Sequence, residues 1–231
     1  MKCRSLFLLL LVAIGSATAK AQFQPIAPEV FLGVSGGVTL SNTGFSPSIA
    51  QSMKMGASGG LVFRYIAERY AGLILELNYS QAGWKDDFKG GMINGVPLSY
   101  QRTLSYIEFP AMAHIYFGKS NFRYFINLGP KIGYMISEST ACNFTQADKI
   151  TNPNGSGDHY FMPVQNRFDY GLTGGMGFEL RTKAGCFLIE GRYYFGLGDI
   201  YNNATKDPFV ASSNQVISAN LKYLIQINKK R

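Results

Sequence analysis

Ser105, Glu108 and His114 lie within ten positions of one another, and a hydroxyl, a carboxylate and an imidazole are the groups of a nucleophilic triad. Around them, Ile107, Phe109, Ala113, Ile115 and Phe117 alternate with Glu108, His114 and Tyr116, which reads as an extended strand. Successive side chains of a strand face opposite sides, so Ser105 points away from Glu108. Glu108 and His114 share a side but stand roughly 20 Å apart along it. These three residues are not a triad, and no catalytic residue is assigned. His114 is expected to be an interior hydrogen-bonding group. His159 beside Asp158, even with Cys142, offers too few ligands for a closed metal site. Neither a metal nor a cofactor is expected.

A second set of polar residues is distributed differently. Arg64, Glu76, Glu108, Arg123, Lys131, Arg167, Asp169, Glu179, Arg181, Glu190, Arg192 and Lys222 occupy the polar side of alternating segments, five acids with seven bases. An unpaired charge in a closed interior costs several kcal/mol. If this side is enclosed, its acids and bases must meet, and the set is expected to be a structural charge network rather than a reaction centre.

The elements that would hold it number eight. Clear period-two alternation covers residues 70–80, 122–137, 168–181 and 217–228, and a weaker form covers 30–41, 55–67, 103–117 and 185–197. The connections alternate as well. Those at 68–69, 118–121 and 182–184 are tight, whereas 42–54, 85–100, 138–164 and 199–214 are long. Short turns at one end and long loops at the other are the pattern of outer-membrane barrels. Of β structures, only a closed barrel satisfies every backbone hydrogen bond in lipid. The expected fold is therefore all-β: an eight-stranded antiparallel up-and-down transmembrane β-barrel over 22–231. A lumen of that size is filled by side chains. Pro110 and Pro130 mark a bend or bulge.

Composition agrees with this reading. With 46% hydrophobic residues, 26 glycines and only 16% charged residues, the chain is neither disordered nor a coiled coil. Lys2 and Arg4, the apolar run Leu6 to Gly15 and the small-residue site Ala19-Lys20-Ala21 predict a signal peptide over 1–21, cleaved before Gln22. Its removal takes the net charge from +8 to +5. Apart from Lys229-Lys230-Arg231 the basic residues do not cluster, so no nucleic-acid partner is expected. Tyr79, Trp84, Tyr106, Tyr134, Phe168, Tyr170 and Phe195 towards the loops, with Tyr65, Phe117, Phe122, Phe187 and Tyr223 towards the turns, would form two interfacial girdles. Cys142 falls at the loop end and Cys186 at the turn end. They are too far apart to bridge, and two free thiols are expected.

Five segments carry a resemblance. Leu75-Glu76-Leu77-Asn78-Tyr79-Ser80-Gln81-Ala82-Gly83-Trp84, Tyr106-Ile107-Glu108-Phe109-Pro110, Ile126-Asn127-Leu128-Gly129-Pro130-Lys131-Ile132-Gly133, Phe168-Asp169-Tyr170-Gly171-Leu172-Thr173-Gly174-Gly175-Met176-Gly177 and Glu190-Gly191-Arg192-Tyr193-Tyr194 resemble, in that order, the PorT family of outer-membrane β-barrel proteins. The resemblance implies an OmpX-like barrel in the outer membrane of a Gram-negative bacterium of the Bacteroidota type. It implies little biochemistry, since most members have no assigned activity and only the family's namesake is tied to type IX protein secretion. The expected role is that of a monomeric structural or interaction protein with a plugged lumen, in contact with outer-membrane lipid and presenting its outer loops, 138–164 above all, to a protein partner. The alternatives are a component supporting type IX secretion and a narrow pore for small solutes.

Overall fold

The computed structural model describes residues 27–93, 95–119, 121–145, 160–203 and 209–228. The signal segment 1–21, the pair Asp158-His159 and the basic end Lys229-Lys230-Arg231 lie outside them. Eleven strands are found among the described residues: β1 (Glu29–Ser46), β2 (Gln51–Ser52), β3 (Lys54–Ile66), β4 (Ala71–Asp86), β5 (Met92–Ile93), β6 (Val96–Pro97), β7 (Tyr100–Lys119), β8 (Phe122–Cys142), β9 (Phe168–Arg181), β10 (Cys186–Asp199) and β11 (Ala211–Gln226).

The expectation of an eight-stranded barrel is corrected. The main sheet has nine strands in the order β2-β4-β3-β1-β11-β10-β9-β8-β7, and β5 and β6 make a second, two-stranded sheet. The added elements fall in segments read as loops. Gln51 and Ser52 pair with Asp86 and Lys85 of β4, above the point where β3 stops pairing with that strand at Ser58↔Ser80. Met53 interrupts the bonding, so the two residues stand as a strand of their own. Neither is apolar and the pair is too short to show a period. β5 and β6 form a hairpin with Gly95 at a φ of 77°, a conformation glycine adopts without steric cost.

All pairings of the main sheet are antiparallel. Each long strand bonds to the next long strand in sequence, β2 bonds to β4, β1 bonds to β11, and β4 bonds to β7 as well as to β3. The long strands exceed the roughly 9–11 residues needed to cross a bilayer at the usual tilt. Along β8 as far as Met135, and along β10, burial alternates residue by residue: Ile126, Leu128 and Ile189 are exposed, while Phe125, Asn127, Leu188 and Glu190 are buried. Large apolar side chains thus cover the outside of the sheet and most charged ones the inside. This inversion of a water-soluble protein suits an element whose solvent is lipid.

The inside also holds two apolar clusters. At the loop end Phe45, Trp84, Phe88, Tyr100, Leu104, Tyr106, Phe144, Tyr201 and Phe209 pack together. At the turn end Phe31, Val62, Ile74, Met112, Phe125 and Leu188 do so. Charged residues lie between these clusters and below them.

Candidate functional site: a layered interior

The middle layer is a quartet of two acids and two bases. Residues two apart on a strand share a side, so Glu190 and Arg192 of β10 both turn inward, where they meet Glu76 of β4 and Lys222 of β11. Arg192 Nη1 and Nη2 donate to the two oxygens of Glu76 at 2.9 and 2.8 Å, and Nη2 also reaches Glu190 Oε2 at 2.8 Å. Lys222 Nζ donates to Glu76 Oε1 at 2.5 Å and pairs with Glu190. Amides add further donors: Asn78 Nδ2 donates to Glu76 Oε2 and Asn127 Nδ2 to Glu190 Oε1, each at 2.8 Å. Asn127 Oδ1 in turn meets His114 Nδ1 at 2.8 Å. Gly175 leaves the room this layer requires, since a Cβ there would lie 2.7 Å from Glu190 Oε1.

Towards the loops, Lys131 Nζ donates to Glu108 Oε1 at 2.6 Å and stands 3.4 Å from the centre of the Tyr194 ring. Asp169 accepts a 3.0 Å bond from Asn214, which also donates to the Tyr106 hydroxyl. A cavity of about 30 Å³, bordered by Glu108, Lys131, Arg192 and Tyr194, is enough for one or two waters. Towards the turns, Arg64 pairs with Glu179 at 2.9 Å with both side chains fully buried. Arg181 Nε reaches Glu179 at 3.2 Å and its Nη2 reaches Glu29 at 2.5 Å. Phe31 carries the Arg64 guanidinium 4.1 Å and that of Arg181 5.2 Å from its ring centre.

Ten of the twelve residues picked out in the sequence are thereby brought into contact with another interior polar group. Arg123 is half-buried over the Tyr116 ring at 4.6 Å, and Arg167 lies ahead of β9 and is exposed. Ser105 accepts from the Tyr79 hydroxyl, away from Glu108 and His114. Cys142 and Cys186 are free thiols at opposite ends of the sheet.

Two members of the proposed girdles are misplaced. Trp84 and Tyr106 are 0% and 1% exposed and belong to the inner loop-end cluster. Their parity explains it: they stand an even number of positions from Glu76 and Glu108, hence on the charged side.

Sequence reasoning also missed the buried Arg102. It pairs with Glu138 at 2.6 Å, donates to the Tyr201 hydroxyl at 3.3 Å and meets the Met162 carbonyl. Arg102 shares parity with Glu108 and was hidden only because β7 starts earlier than its apolar alternation does. Burial in this cluster pushes the Tyr201 hydroxyl above the ordinary phenol range. Among the described residues no three His, Cys, Asp or Glu side chains are grouped to hold a metal ion.

Residues 21–202 match the family model described as "Outer membrane protein beta-barrel domain". The chain belongs to this family. An outer-membrane location and lipid contact follow from that membership and from the apolar outer surface. Solved structures with similar architecture include the attachment invasion locus protein Ail of Yersinia pestis (13% identity, 85% of this chain, 99% of that one, TM-score 0.40). OprG of Pseudomonas aeruginosa (12%, 89% and 99%, 0.44) and outer membrane protein W of E. coli (17%, 86% and 98%, 0.37) are further examples. No curated protein matches the chain.

Proposed function

We propose that residues 1–21 are a signal peptide and that the mature chain acts without catalysis, as a monomeric structural or interaction protein of the outer membrane. The observation that carries this reading is the filled interior. Between the loop-end aromatic cluster and the turn-end cluster, the space bordered by Glu108, Lys131 and Arg192 is about 30 Å³. That favours a plugged lumen over a solute pore and leaves the loop end as the working surface.

The long third connection supports a contact role. Tyr160 packs at 4.8 Å from Tyr100 and 5.2 Å from Phe144, and Val164 is buried, so the described end of this connection is anchored. A protein partner would meet the outer loops, 138–164 above all. Membership of the PorT family, and with it a part in type IX secretion, is the finer reading that the five quoted segments favour.

Cell fractionation tests the main proposal. The protein is expected with the outer membrane, with gel mobility that changes on heating and a mature amino terminus at Gln22. Recovery in the soluble periplasm, or of an uncleaved chain, overturns it. Deletion of the gene with export by type IX secretion unchanged rejects the secretion reading alone.

A further inference from the structure

On the outside of the sheet, at the loop end, lies an open cleft of about 650 Å³, within the size range of small-ligand sites. Its lower wall is aromatic. Tyr134, Phe168 and Tyr170 are each about half exposed, the rings of Phe168 and Tyr170 stack at 6.1 Å, and Tyr134 stands opposite Phe168 in the β8–β9 register. Its upper wall is polar and exposed, formed by Gln165, Asn166 and Arg167.

Arg167 is the key residue. It is exposed, and its guanidinium has no hydrogen-bond or ion-pair partner among the described residues. Asp199, the acid in the cleft, makes no ion pair with it: its Oδ1 accepts from the Ser212 amide at 2.6 Å and its Oδ2 from Asn203 at 3.5 Å. An unpaired cation therefore lines the same cleft as two amide side chains and as exposed rings that continue the lipid-facing surface.

Each part selects a chemistry. A guanidinium takes a phosphate bidentately. Gln165 Oε1 accepts from the Asn202 amide and Asn166 Nδ2 donates to the Asp199 carbonyl, which leaves the Gln165 amide hydrogens and the Asn166 oxygen to take a ligand's hydroxyls. Aromatic rings at the lipid–water boundary offer an apolar face to the C–H face of a sugar, with a polar edge towards water. A phosphatidylglycerol or phosphatidylethanolamine head supplies the phosphate but no ring to cover Tyr170 and Phe168. A soluble phosphorylated sugar supplies both but gains nothing from a cleft that opens onto lipid. We infer that this cleft seats the phosphorylated saccharide headgroup of an outer-leaflet glycolipid, its acyl chains lying along the apolar strands below. The inference rests on the loop end facing outwards, which labelling of Cys142 on intact cells tests by itself.

The experiment is native mass spectrometry of the refolded mature chain released from detergent, titrated with monophosphoryl lipid A. The same titration uses the enzymatically dephosphorylated glycolipid and phosphatidylglycerol. A one-to-one adduct with the phosphorylated glycolipid is expected, with apparent affinity about tenfold weaker for Arg167→Gln, for the dephosphorylated probe and for phosphatidylglycerol. Arg167→Lys should fall between wild type and Arg167→Gln. Heat-modifiable mobility checks that each variant is folded, and the probe comparison on the wild-type chain needs no variant. The inference is overturned if Arg167→Gln binds as wild type, if either control lipid binds as tightly, or if Lys183→Gln, at the opposite end, causes the loss instead.

Discussion

Lys222 reaches both carboxylates of the middle layer, Glu76 and Glu190, while Arg192 bridges the same pair from the other side. Removing the lysine leaves two buried carboxylates sharing one guanidinium. Breaking a buried ion pair from one side typically costs about 3–5 kcal/mol. Lys222→Met is therefore expected to lower stability by about 3 kcal/mol or more in reversible urea unfolding from lipid vesicles. Adding Glu190→Gln should recover part of that loss, because it removes the surplus charge, and strictly additive costs would refute the coupling. Cys142 gives a second expectation at this scale. It is exposed at the loop end and Cys186 is buried at the turn end, so a membrane-impermeant maleimide on intact cells should modify Cys142 and spare Cys186 until denaturation. Labelling of neither would place the loop end inside. The acids and bases of the middle and turn-end layers were legible from parity, since a charge on the polar side of a strand faces the interior, whereas Arg167, ahead of β9, is exposed and Arg102 lay outside the alternating segment. The partners within those layers were not legible, because Glu76 meets Lys222 across the interior, 146 positions along the chain, and strand alternation carries no register between distant segments.

Glycine placement decides how closely the strands of this sheet can carry long side chains between them. A Cβ at Gly177 would lie 2.0 Å from the Ile189 carbonyl oxygen and 2.7 Å from Phe125 Cζ, whereas at Gly191, on the neighbouring strand, nothing lies within 4 Å. Gly177→Ala should destabilise by about 1–3 kcal/mol through overpacking. Gly191→Ala should leave stability within about 0.5 kcal/mol. Equal unfolding midpoints for the two variants would show that β9 and β10 separate more easily than the structure implies. Element boundaries were legible where alternation reaches the strand end, as in β9, whose span Phe168–Arg181 matches the pattern in full. They were not legible where the strand continues in small polar residues. β1 runs through Asn42, Thr43 and Gly44 to Ser46 because these residues pair with β11, and Gln51 fastens the same stretch by bonding both the amide and the carbonyl of Thr43. Such contacts are tertiary, and no local period announces them.

The interior is blocked at three heights by different means: aromatic packing at the loop end, the Glu76–Arg192–Glu190–Lys222 quartet in the middle, and Arg64–Glu179–Arg181 around Phe31 at the turn end. A conducting path needs continuous water, and closing any one layer is enough to interrupt it. The folded protein in a planar bilayer is accordingly expected to show no unitary current steps. Arg192→Ala should also stay silent despite the space it opens, because the layers above and below remain. Only joint loss of the three, for example Trp84→Ala with Arg192→Ala and Arg64→Ala, should yield steps, provided heat-modifiable mobility shows the variant folded. Steps from the wild-type chain would contradict the plug outright. Steps from Arg192→Ala alone would place the whole barrier in the quartet and leave the aromatic layer with another role, that of holding the loop end rigid for what binds there.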